Sequence, residues 1–341
     1  MKKFLFIAAM ASVALVSCVK NEVIPVNEEG QEITFMTAPV TKALGADKSA
    51  FNTSNHFTSW AYYTGDTDWA YPTGVTNWID GAEIQYMTDK WKNSTQSYYW
   101  PKDNGKLTFF AFSDNTNDPA LTDATVSCAS NTGVVISSFD VTKNVNVDLL
   151  VADPAKNQKA NTSPATYLTT GVPTLFRHKL ANVEFKIKYA LADDGVTDFT
   201  LTSIYLKGLN TTGTYTQNDG VVDDEVGKWE LTSATNNIKY TDETADFTTG
   251  AYNLETNANQ HYFMPQAFDG TQKIEVVYFA QGTGAGKSHT LEGDLKTIFG
   301  ADGWKIGKRY ICTITIGADE ILWDPAVQDW VEVVPGFTAT L

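Results

Sequence analysis

The sequence contains little cysteine, histidine or basic charge, and each shortage argues against a class of function. Its 341 residues include three cysteines and four histidines, which lie far apart and show no zinc-ligand spacing. Lysine and arginine number 25 against 40 aspartates and glutamates, a formal net charge of -15. An acidic surface repels phosphates, so nucleic acid is not an expected partner.

Long apolar runs and helical periodicity are also scarce. The one long apolar run, Phe4 to Val16, is too short to cross a bilayer. A 3.6-residue period occurs once, ahead of Gly300, and predicts a single short helix. Its apolar positions are Leu291, Leu295, Ile298 and Phe299.

The residues that are abundant favour strands. Apolar residues make up 43% of the chain and aromatics 12%, a composition typical of a folded, strand-rich protein. Between Lys179 and Tyr189 apolar and polar residues alternate strictly, which predicts a strand with one buried face. Similar strand-like runs occur at 57–63, 107–112, 134–136, 147–151, 201–206, 274–280 and 310–316.

These runs predict an all-β fold. About 300 ordered residues exceed one β-sandwich of roughly 100 residues, so two sandwiches in tandem are expected. We place the break near residues 170–173, after a loop-like stretch. The predicted organisation is a signal segment over 1–18, an N-terminal domain over 19–172 and a C-terminal domain over 173–341.

The N-terminus has the pattern of an export signal. Lys2 and Lys3 precede the apolar run, which ends in Leu15-Val16-Ser17-Cys18. This ending resembles a bacterial lipobox, in which small residues before a cysteine admit the signal peptidase and the thiol takes the lipid. We expect lipidation of Cys18, followed by a polar tether over residues 19–32; the alternative is an ordinary secretory signal with a chance cysteine.

No pattern predicts a catalytic site, a cofactor or a metal. The run Gly282–Ser288 looks like a phosphate-binding loop, but Gln281 stands where the pattern needs glycine and no βαβ unit surrounds it. Acidic clusters at 114–118, 193–194 and 223–225 lack calcium-loop spacing and are expected to be solvated turns. Paired carboxylates for glycoside hydrolysis stay open, because their separation is not visible in sequence.

Two further groups of residues have alternative interpretations. Six aromatics crowd into one segment and can stack on sugars or anchor a protein, although at least half are expected in the core: Trp60, Tyr62, Tyr63, Trp69, Tyr71 and Trp78. Cys312 is expected to be a buried free thiol, and whether it pairs with Cys128 is open.

The chain resembles the fimbrillin family, the type V pilins of Bacteroidales and their fimbrillin-like relatives. The resemblance rests on motifs that occur in order along nearly the whole mature sequence. They are Cys18, Ile33-Thr34-Phe35, Thr41-Lys42-Ala43, Tyr99-Trp100-Pro101, Asp148 to Ala152, Phe176 to Val183, Trp304, Gly307, Tyr310, Trp323-Asp324-Pro325 and Trp330.

This resemblance implies two transthyretin-like β-sandwich domains and a lipoprotein precursor exported through the periplasm to the outer membrane. In the family a protease cuts after an arginine near the first strand and removes that strand, and the groove then accepts a strand from a neighbouring subunit. Here Lys42, followed by Ala43, stands at the cleavage point, so a different protease or no maturation is implied.

The C-terminal run is the candidate donor strand, because it combines apolar alternation with free backbone groups. Pro335-Gly336 divides it into two short runs. The candidate donor residues are Val331, Val333, Val334, Phe337 and Leu341.

The resulting functional hypothesis is a structural, anchor or tip component of cell-surface fimbriae. Its expected partners are other fimbrial subunits, a host glycan or protein, and the membrane through a lipid anchor. A non-polymerising surface lipoprotein that binds glycan or host protein is the alternative. A secreted hydrolase on a β-sandwich is a third interpretation, since a fold alone does not exclude an activity.

Substituting Cys18→Ala is expected to leave the precursor uncleaved or to release the protein from membranes, because the lipid loses its attachment point. Cys128→Ala, which lies outside the lipobox, is the matched control and should change neither property. Radiolabelled fatty acid and membrane fractionation measure both. Unchanged labelling of the Cys18→Ala protein would refute the assignment.

Overall fold

The computed structural model describes residues 30–37, 51–117, 121–160, 171–189, 198–241, 245–246, 252–253, 262–281, 284–316 and 321–329. Nearly all regular structure in these ranges is β, which confirms the all-β prediction. The strands are β1 Phe35–Thr37, β2 Phe57–Gly65, β3 Thr76–Met87, β4 Lys90–Asn93, β5 Lys106–Ser113, β6 Thr125–Ala129, β7 Gly133–Asp140, β8 Leu150–Ala152, β9 Ala155–Gln158, β10 Val172–Thr174, β11 Phe176–His178, β12 Ala181–Tyr189, β13 Asp198–Thr216, β14 Lys228–Thr241, β15 Ala245–Asp246, β16 Tyr252–Asn253, β17 Tyr262–Phe263, β18 Lys273–Gln281, β19 Lys287–Asp294, β20 Lys308–Ile316 and β21 Ile321–Asp329; the helix is α1 Leu295–Phe299.

Sheet A is a nine-stranded sheet formed by the first part of the chain. Its order is β10-β1-β4-β3-β2-β5-β8-β11, with β9 also paired to β5. The end strands β10 and β11 are separated only by Leu175, whereas eight flat strands would span about 34 Å at about 4.8 Å per gap. Sheet A must therefore curl so that its two ends meet.

The curl encloses an apolar interior, which we call the inner core. Strand alternation supplies it: Phe57 and Ala61 of β2 point inward, and Trp60 and Tyr62 of the same strand point outward. The other large side chains of the inner core are Ile33, Phe35, Phe51, Ile79, Ile84, Trp91, Leu107, Phe109, Leu150, Val172 and Phe176.

Sheet B has seven strands and runs through both halves of the chain. Its order is β19-β18-β13-β7-β6, with β14 and β15 also paired to β13. The first half of β13 pairs with β18, and its second half pairs with β7. The β13–β14 hairpin therefore contributes to the sheet layers of both halves of the chain.

Sheet C completes the second half with the order β16-β12-β20-β21, and β17 also pairs with β12. Its central strands β12 and β20 are parallel. The outward face of sheet A, sheet B and sheet C share one continuous apolar cluster, the long core. Strands β10 and β11, which follow residue 171, hydrogen bond within sheet A.

Several strand predictions are confirmed with changed bounds. Ala181, Val183, Phe185 and Ile187 are buried along β12 as the alternation predicts. Leu180, which the alternation places on the opposite face from Ala181, is also buried. It precedes the strand, and its carbonyl accepts a bond from Gly307 N at 3.0 Å. The run 201–206 is part of a longer strand, the 19-residue β13. The run 147–151 is a strand only from Leu150.

The predicted helix is confirmed over its last part. Asp294 caps α1 by accepting a bond from Thr297 N at 3.1 Å, and Gly300 ends it with φ of 88°. Leu291 belongs instead to β19, where it pairs with Val276 of β18, because the strand ladder there competes with helical pairing.

The turn of the β13–β14 hairpin fastens the two halves together. The fully buried Gln217 accepts a bond from Val134 N at 3.1 Å and donates to Ala152 O at 2.8 Å. One amide thus satisfies backbone groups of both sheet B and sheet A.

Acidic residues of the same turn form ion pairs with basic residues of sheet A. Glu225 pairs with Arg177, and Asp224 pairs with Lys156 at 2.5 Å. Asp224 also accepts a bond from the Tyr71 hydroxyl at 2.6 Å. The predicted turn is present and Asp223 is exposed, but Asp224 and Glu225 also face cations from distant strands.

Gln217→Ala is expected to destabilise the fold by about 2–4 kcal/mol, since two buried backbone groups lose their partners at about 1–3 kcal/mol each. Asn218→Ala, which removes an exposed bond to Asn131 O, should cost less than about 1 kcal/mol. Urea unfolding followed by tryptophan fluorescence gives both values. Equal losses for the two variants would contradict the bridging role of Gln217.

Candidate functional site: the first-strand slot

The first strand occupies a full position inside sheet A, between β4 and β10. Phe35 lies opposite Trp91 of β4 in antiparallel register. Phe35, Met36 and Thr37 pair in parallel with β10, starting at Val172. We call residues 31–37 the first-strand segment, and the position that it fills the first-strand slot.

Backbone hydrogen bonds hold the segment on both sides. Ile33 N donates to Tyr98 O at 2.7 Å, and Trp100 N donates to Gln31 O at 3.0 Å. On the other side Val172 N donates to Thr34 O at 2.7 Å. An occupant of the slot must therefore present an extended backbone with groups free on both edges.

Two side chains of the segment fill the inner core. Ile33 and Phe35 are 2% and 4% exposed. The Phe35 ring meets the rings of Phe57 and Phe109 edge to face, with centroids 5.6 and 5.8 Å apart. Met36 and Thr37 are half-buried, so the slot selects apolar side chains at alternate positions.

A polar contact fixes the start of the segment. Glu32 accepts a bond from the Ser97 hydroxyl at 2.7 Å, and Lys92 Nζ lies 3.8 Å from the same carboxylate oxygen. Glu32 and Tyr99 also form an isolated antiparallel β-bridge. This contact orients the segment but lies outside the apolar slot.

Gly171 explains why the chain can approach the segment so closely from the β10 side. A Cβ at this position would lie 2.7 Å from the carbonyl carbon of Phe35 and 2.9 Å from its oxygen. Because any larger residue would collide with backbone rather than with a movable side chain, glycine is required here.

The sequence and the overall fold are similar to those of known proteins. A family model described as fimbrillin-like matches residues 30–330. The chain belongs to the fimbrillin-like family. This assignment confirms the resemblance found in the sequence.

Solved structures share the fimbrillin-like fold at low sequence identity. A fimbrial protein from Bacteroides vulgatus superposes with a TM-score of 0.60 at 18% identity, covering 88% of this chain and 99% of that one. A candidate cell adhesion protein from Bacteroides uniformis gives 0.50 at 17%, covering 88% and 98%. No curated protein is significantly similar in sequence.

Several residues that the sequence singled out lie outside the described part of this fimbrillin-like chain. They are Cys18, Lys42, Ala43, Val331, Val333, Val334, Phe337 and Leu341. The described part ends at Asp329 in β21, which pairs with β20 along its whole length from Lys308↔Asp329 to Ile316↔Ile321. Strand β21 is an outer strand of sheet C among the described strands.

The aromatic segment divides between core and surface. Trp60, Tyr62 and Trp69 are buried in the long core, as predicted for half of the group. Tyr63 and Trp78 are half-buried, with ring centroids 5.6 Å apart. Such half-exposed rings are available for contact with a partner.

The glycine-rich run does not have the geometry of a phosphate loop. Lys287 and Ser288 lie in β19 and pair with Ala280 and Phe279 of β18. A phosphate loop would place this pair at the start of a helix, whereas here both residues lie in a strand of the β18–β19 ladder.

The two cysteines in the described part of the chain show no pairing and no sign of reactivity. Cys128 and Cys312 are both free thiols, and Cys312 is buried as predicted. Burial is the main cause that raises the pKa of each thiol to about 12, so the nucleophilic thiolate is scarce at neutral pH. Within the described ranges no three metal-ligating side chains cluster, and no helix has the length and apolarity to span a membrane.

Sequence reasoning located the first strand but missed the walls of its slot. Val172 and Gly171 come from a segment that reads as a domain linker, and Trp91 stands in a short polar strand. The sequence motif that could have indicated a wall of the slot is Tyr99-Trp100-Pro101, whose backbone pairs with the first-strand segment.

Phe35→Ala is expected to cost about 3–5 kcal/mol of unfolding free energy, because a fully buried ring leaves a cavity in the inner core. Met36→Ala, the neighbour on the half-buried face, should cost less than half of that. Urea unfolding of the two variants measures the difference. A Phe35 variant as stable as the Met36 variant would show that the slot is not filled in this way.

Proposed function

We propose that the chain is a structural or accessory (anchor or tip) component of cell-surface fimbriae that assembles by donor-strand exchange and supports adhesion. The observation that carries the proposal is the first-strand segment: a short strand near the N-terminus fills a complete position inside a sheet. Its pairing comes from β4 and β10, and its specificity comes from two apolar side chains.

Replacing the first-strand segment with another strand is energetically favoured over leaving its slot empty. Removing the segment would expose the apolar surface that Ile33 and Phe35 cover, worth about 1.5–3 kcal/mol for each side chain. It would also leave unpaired backbone groups at Tyr98, Trp100 and Val172. A strand from another subunit with the same alternation recovers both contributions.

The maturation route forms part of the proposal. Cys18 carries the lipid that anchors the precursor at the outer membrane, and cleavage between Lys42 and Ala43 releases the first-strand segment, which precedes this bond in sequence. The donor is the C-terminal run with Val331, Val333, Val334, Phe337 and Leu341. It follows directly after β21, an outer strand of sheet C.

We also propose that the chain is organised as two transthyretin-like β-sandwich domains, over 19–172 and 173–341. Sheets A, B and C share the long core, and β13 pairs with β18 over its first half and with β7 over its second half. The β13–β14 hairpin is then a shared element of the tandem.

One observation favours the second candidate, a non-polymerising surface lipoprotein that binds a glycan or a host protein. The rings of Tyr63 and Trp78 lie side by side and half-exposed, as at many recognition surfaces. Glycan-array binding without polymer formation would support this candidate.

Protein trimmed after Lys42 is expected to form a ladder of polymers on an unboiled gel, whereas the untrimmed protein stays monomeric. An excess of the peptide Gln-Glu-Ile-Thr-Phe-Met-Thr, the sequence of residues 31–37, should suppress the ladder by refilling the slot. The matched control peptide has serine in place of the isoleucine and phenylalanine, and should not suppress it.

A trimmed and further truncated protein that lacks residues 331–341 should remain monomeric if these residues are the donor. Circular dichroism checks that it is folded. If folded protein that is trimmed after Lys42 but keeps residues 331–341 stays monomeric at high concentration, donor-strand exchange is wrong and the binding candidate takes its place.

A further inference from the structure

Strand β19 is an outer strand of sheet B. It pairs with β18 without a register shift, from Ala280↔Lys287 to Lys273↔Asp294. Within the described residues no strand pairs with its other side. An exposed strand edge is ready to add a strand from another chain, and natural proteins usually block such edges with proline, a bulge or a covering contact.

Strand β19 lacks the protection that two other outer strands have. In β21 the central residue, Pro325, has no N–H to donate. In β6 the carbonyl of Cys128 already accepts a bond from the Tyr62 hydroxyl at 2.8 Å. The sequence of β19, Lys-Ser-His-Thr-Leu-Glu-Gly-Asp, contains no proline, and its ladder contains no bulge. Of these three strands, β19 is therefore the one best suited to pairing.

The ladder shows which backbone groups of β19 point outward. Leu295 N donates to Gln272 O at 3.1 Å, so the pair that follows Lys273↔Asp294 is a hydrogen-bonded pair. Because such pairs alternate with non-hydrogen-bonded pairs, every second residue of β19 directs its N–H and C=O away from β18. These residues are Ser288, Thr290 and Glu292, and all three are exposed. Within the described ranges no other group bonds to their outward N–H and C=O groups.

A second copy of β19 fits this edge in an antiparallel register centred on Thr290. Only outward-facing residues form hydrogen-bonded pairs across the edge, so a two-fold axis through Thr290 pairs this residue with itself and pairs Ser288 with Glu292 of the second copy. Thr–Thr and Ser–Glu neighbours across strands attract each other through side-chain hydrogen bonds. This register uses all three outward residues, whereas an axis moved by one residue uses only two.

The charges along β19 favour the same arrangement. Lys287 stands at one end of the strand, and Glu292 and Asp294 stand at the other. Antiparallel pairing sets the basic end of each strand beside the acidic end of the other, whereas parallel pairing would set like charges together. Lys287 is exposed and forms no ion pair within the described residues, and Glu292 is 52% exposed, 3.8 Å from Lys207. Both charges are therefore available to a second copy.

The other face of β19 is also self-complementary. The His289 ring stacks on the ring of Tyr278 in β18, with centroids 5.0 Å apart and planes 10° from parallel. In the register centred on Thr290, His289 lies opposite Leu291 of the second copy, and both side chains are only partly covered within one chain. Contact between this ring and the aliphatic side chain removes apolar surface from water.

We propose that β19 joins two copies of the chain edge to edge, in antiparallel register about Thr290, so that their two B sheets become one continuous sheet. The contact is closed by two-fold symmetry, so it stops at two copies. It is independent of the first-strand slot, which lies in sheet A, and therefore adds a lateral contact between subunits to any contact made through the slot.

Sedimentation velocity of the untrimmed protein, whose first-strand slot is filled, measures this dimer apart from donor-strand polymers. A short polar edge buries less area than a standard interface, so we expect a monomer–dimer equilibrium with a dissociation constant of about 100 µM and no larger species. A complex this weak dissociates in the detergent of an unboiled gel, so the untrimmed protein still migrates as a monomer there.

Variants of β19 test the pairing and the charges. Thr290→Pro removes the outward N–H on the two-fold axis, at a position where an outer strand tolerates proline, and should weaken dimerisation at least about tenfold. Thr290→Val keeps the N–H and the strand propensity, and should stay within about threefold. Lys287→Glu should weaken dimerisation about tenfold, because two repulsive contacts replace two attractive ones. Adding Glu292→Lys to it should restore most of the loss.

A cysteine cross-link tests the register, and it serves as the second test if Thr290→Pro does not fold. The Cα atoms of a hydrogen-bonded antiparallel pair lie about 5.5 Å apart, within disulfide range. In untrimmed protein with Cys18 and Cys128 replaced by alanine, Thr290→Cys should give a disulfide-linked dimer on mild oxidation. Ser288→Cys is equally exposed but lies about 13 Å from its own copy, four residues along the strand, and should not.

Three results would overturn the proposal. The first is an untrimmed protein that stays monomeric at about 1 mM, well above the expected dissociation constant. The second is a folded Thr290→Pro variant that dimerises as well as the unchanged protein. The third is equal cross-linking of Thr290→Cys and Ser288→Cys. Normal dimerisation of untrimmed protein that fails to polymerise after trimming would support this proposal and refute donor-strand exchange alone.

Discussion

Sheet A can close around its apolar interior only while a strand fills the position between β4 and β10. The edge strands β10 and β11 are joined through the single residue Leu175, so the sheet is held in a curl. Ile33 and Phe35 complete the interior that this curl creates. The identity of the strand in the slot matters less than its alternation, since the slot contacts backbone and two apolar side chains.

The β13–β14 hairpin extends this constraint to the second half of the chain. Its strands are shared between the layers of both halves, and Gln217, Asp224 and Glu225 fasten its turn to sheet A. Force applied to one half therefore passes through paired strands and buried bonds rather than through a flexible linker.

The parts of the fold that sequence predicts are those encoded locally. Alternation from Ala181 to Ile187 identified β12, and a capped apolar period with Gly300 identified α1. The parallel pairing of Phe35 with Val172 escaped prediction, because it joins segments far apart in sequence and leaves no local period.

For the same reason, sequence does not predict ion pairs between distant strands or the full length of β13. Asp224 and Glu225 read as a solvated turn because their partners, Lys156 and Arg177, lie on distant strands. The second half of β13 is rich in threonine and asparagine without clear alternation, and it becomes a strand because β7 and β14 pair with it on both sides.

Amide hydrogen exchange at Val172 and Ile33 tests the central claim most directly. In the full-length monomer both amides are bonded across the slot, and both should exchange slowly. After removal of residues 1–42, the Val172 amide should exchange rapidly in the monomer and become protected again in the assembled polymer, because the donor strand takes the place of Thr34. Persistent protection of Val172 in the trimmed monomer, or its absence in the polymer, would contradict the account.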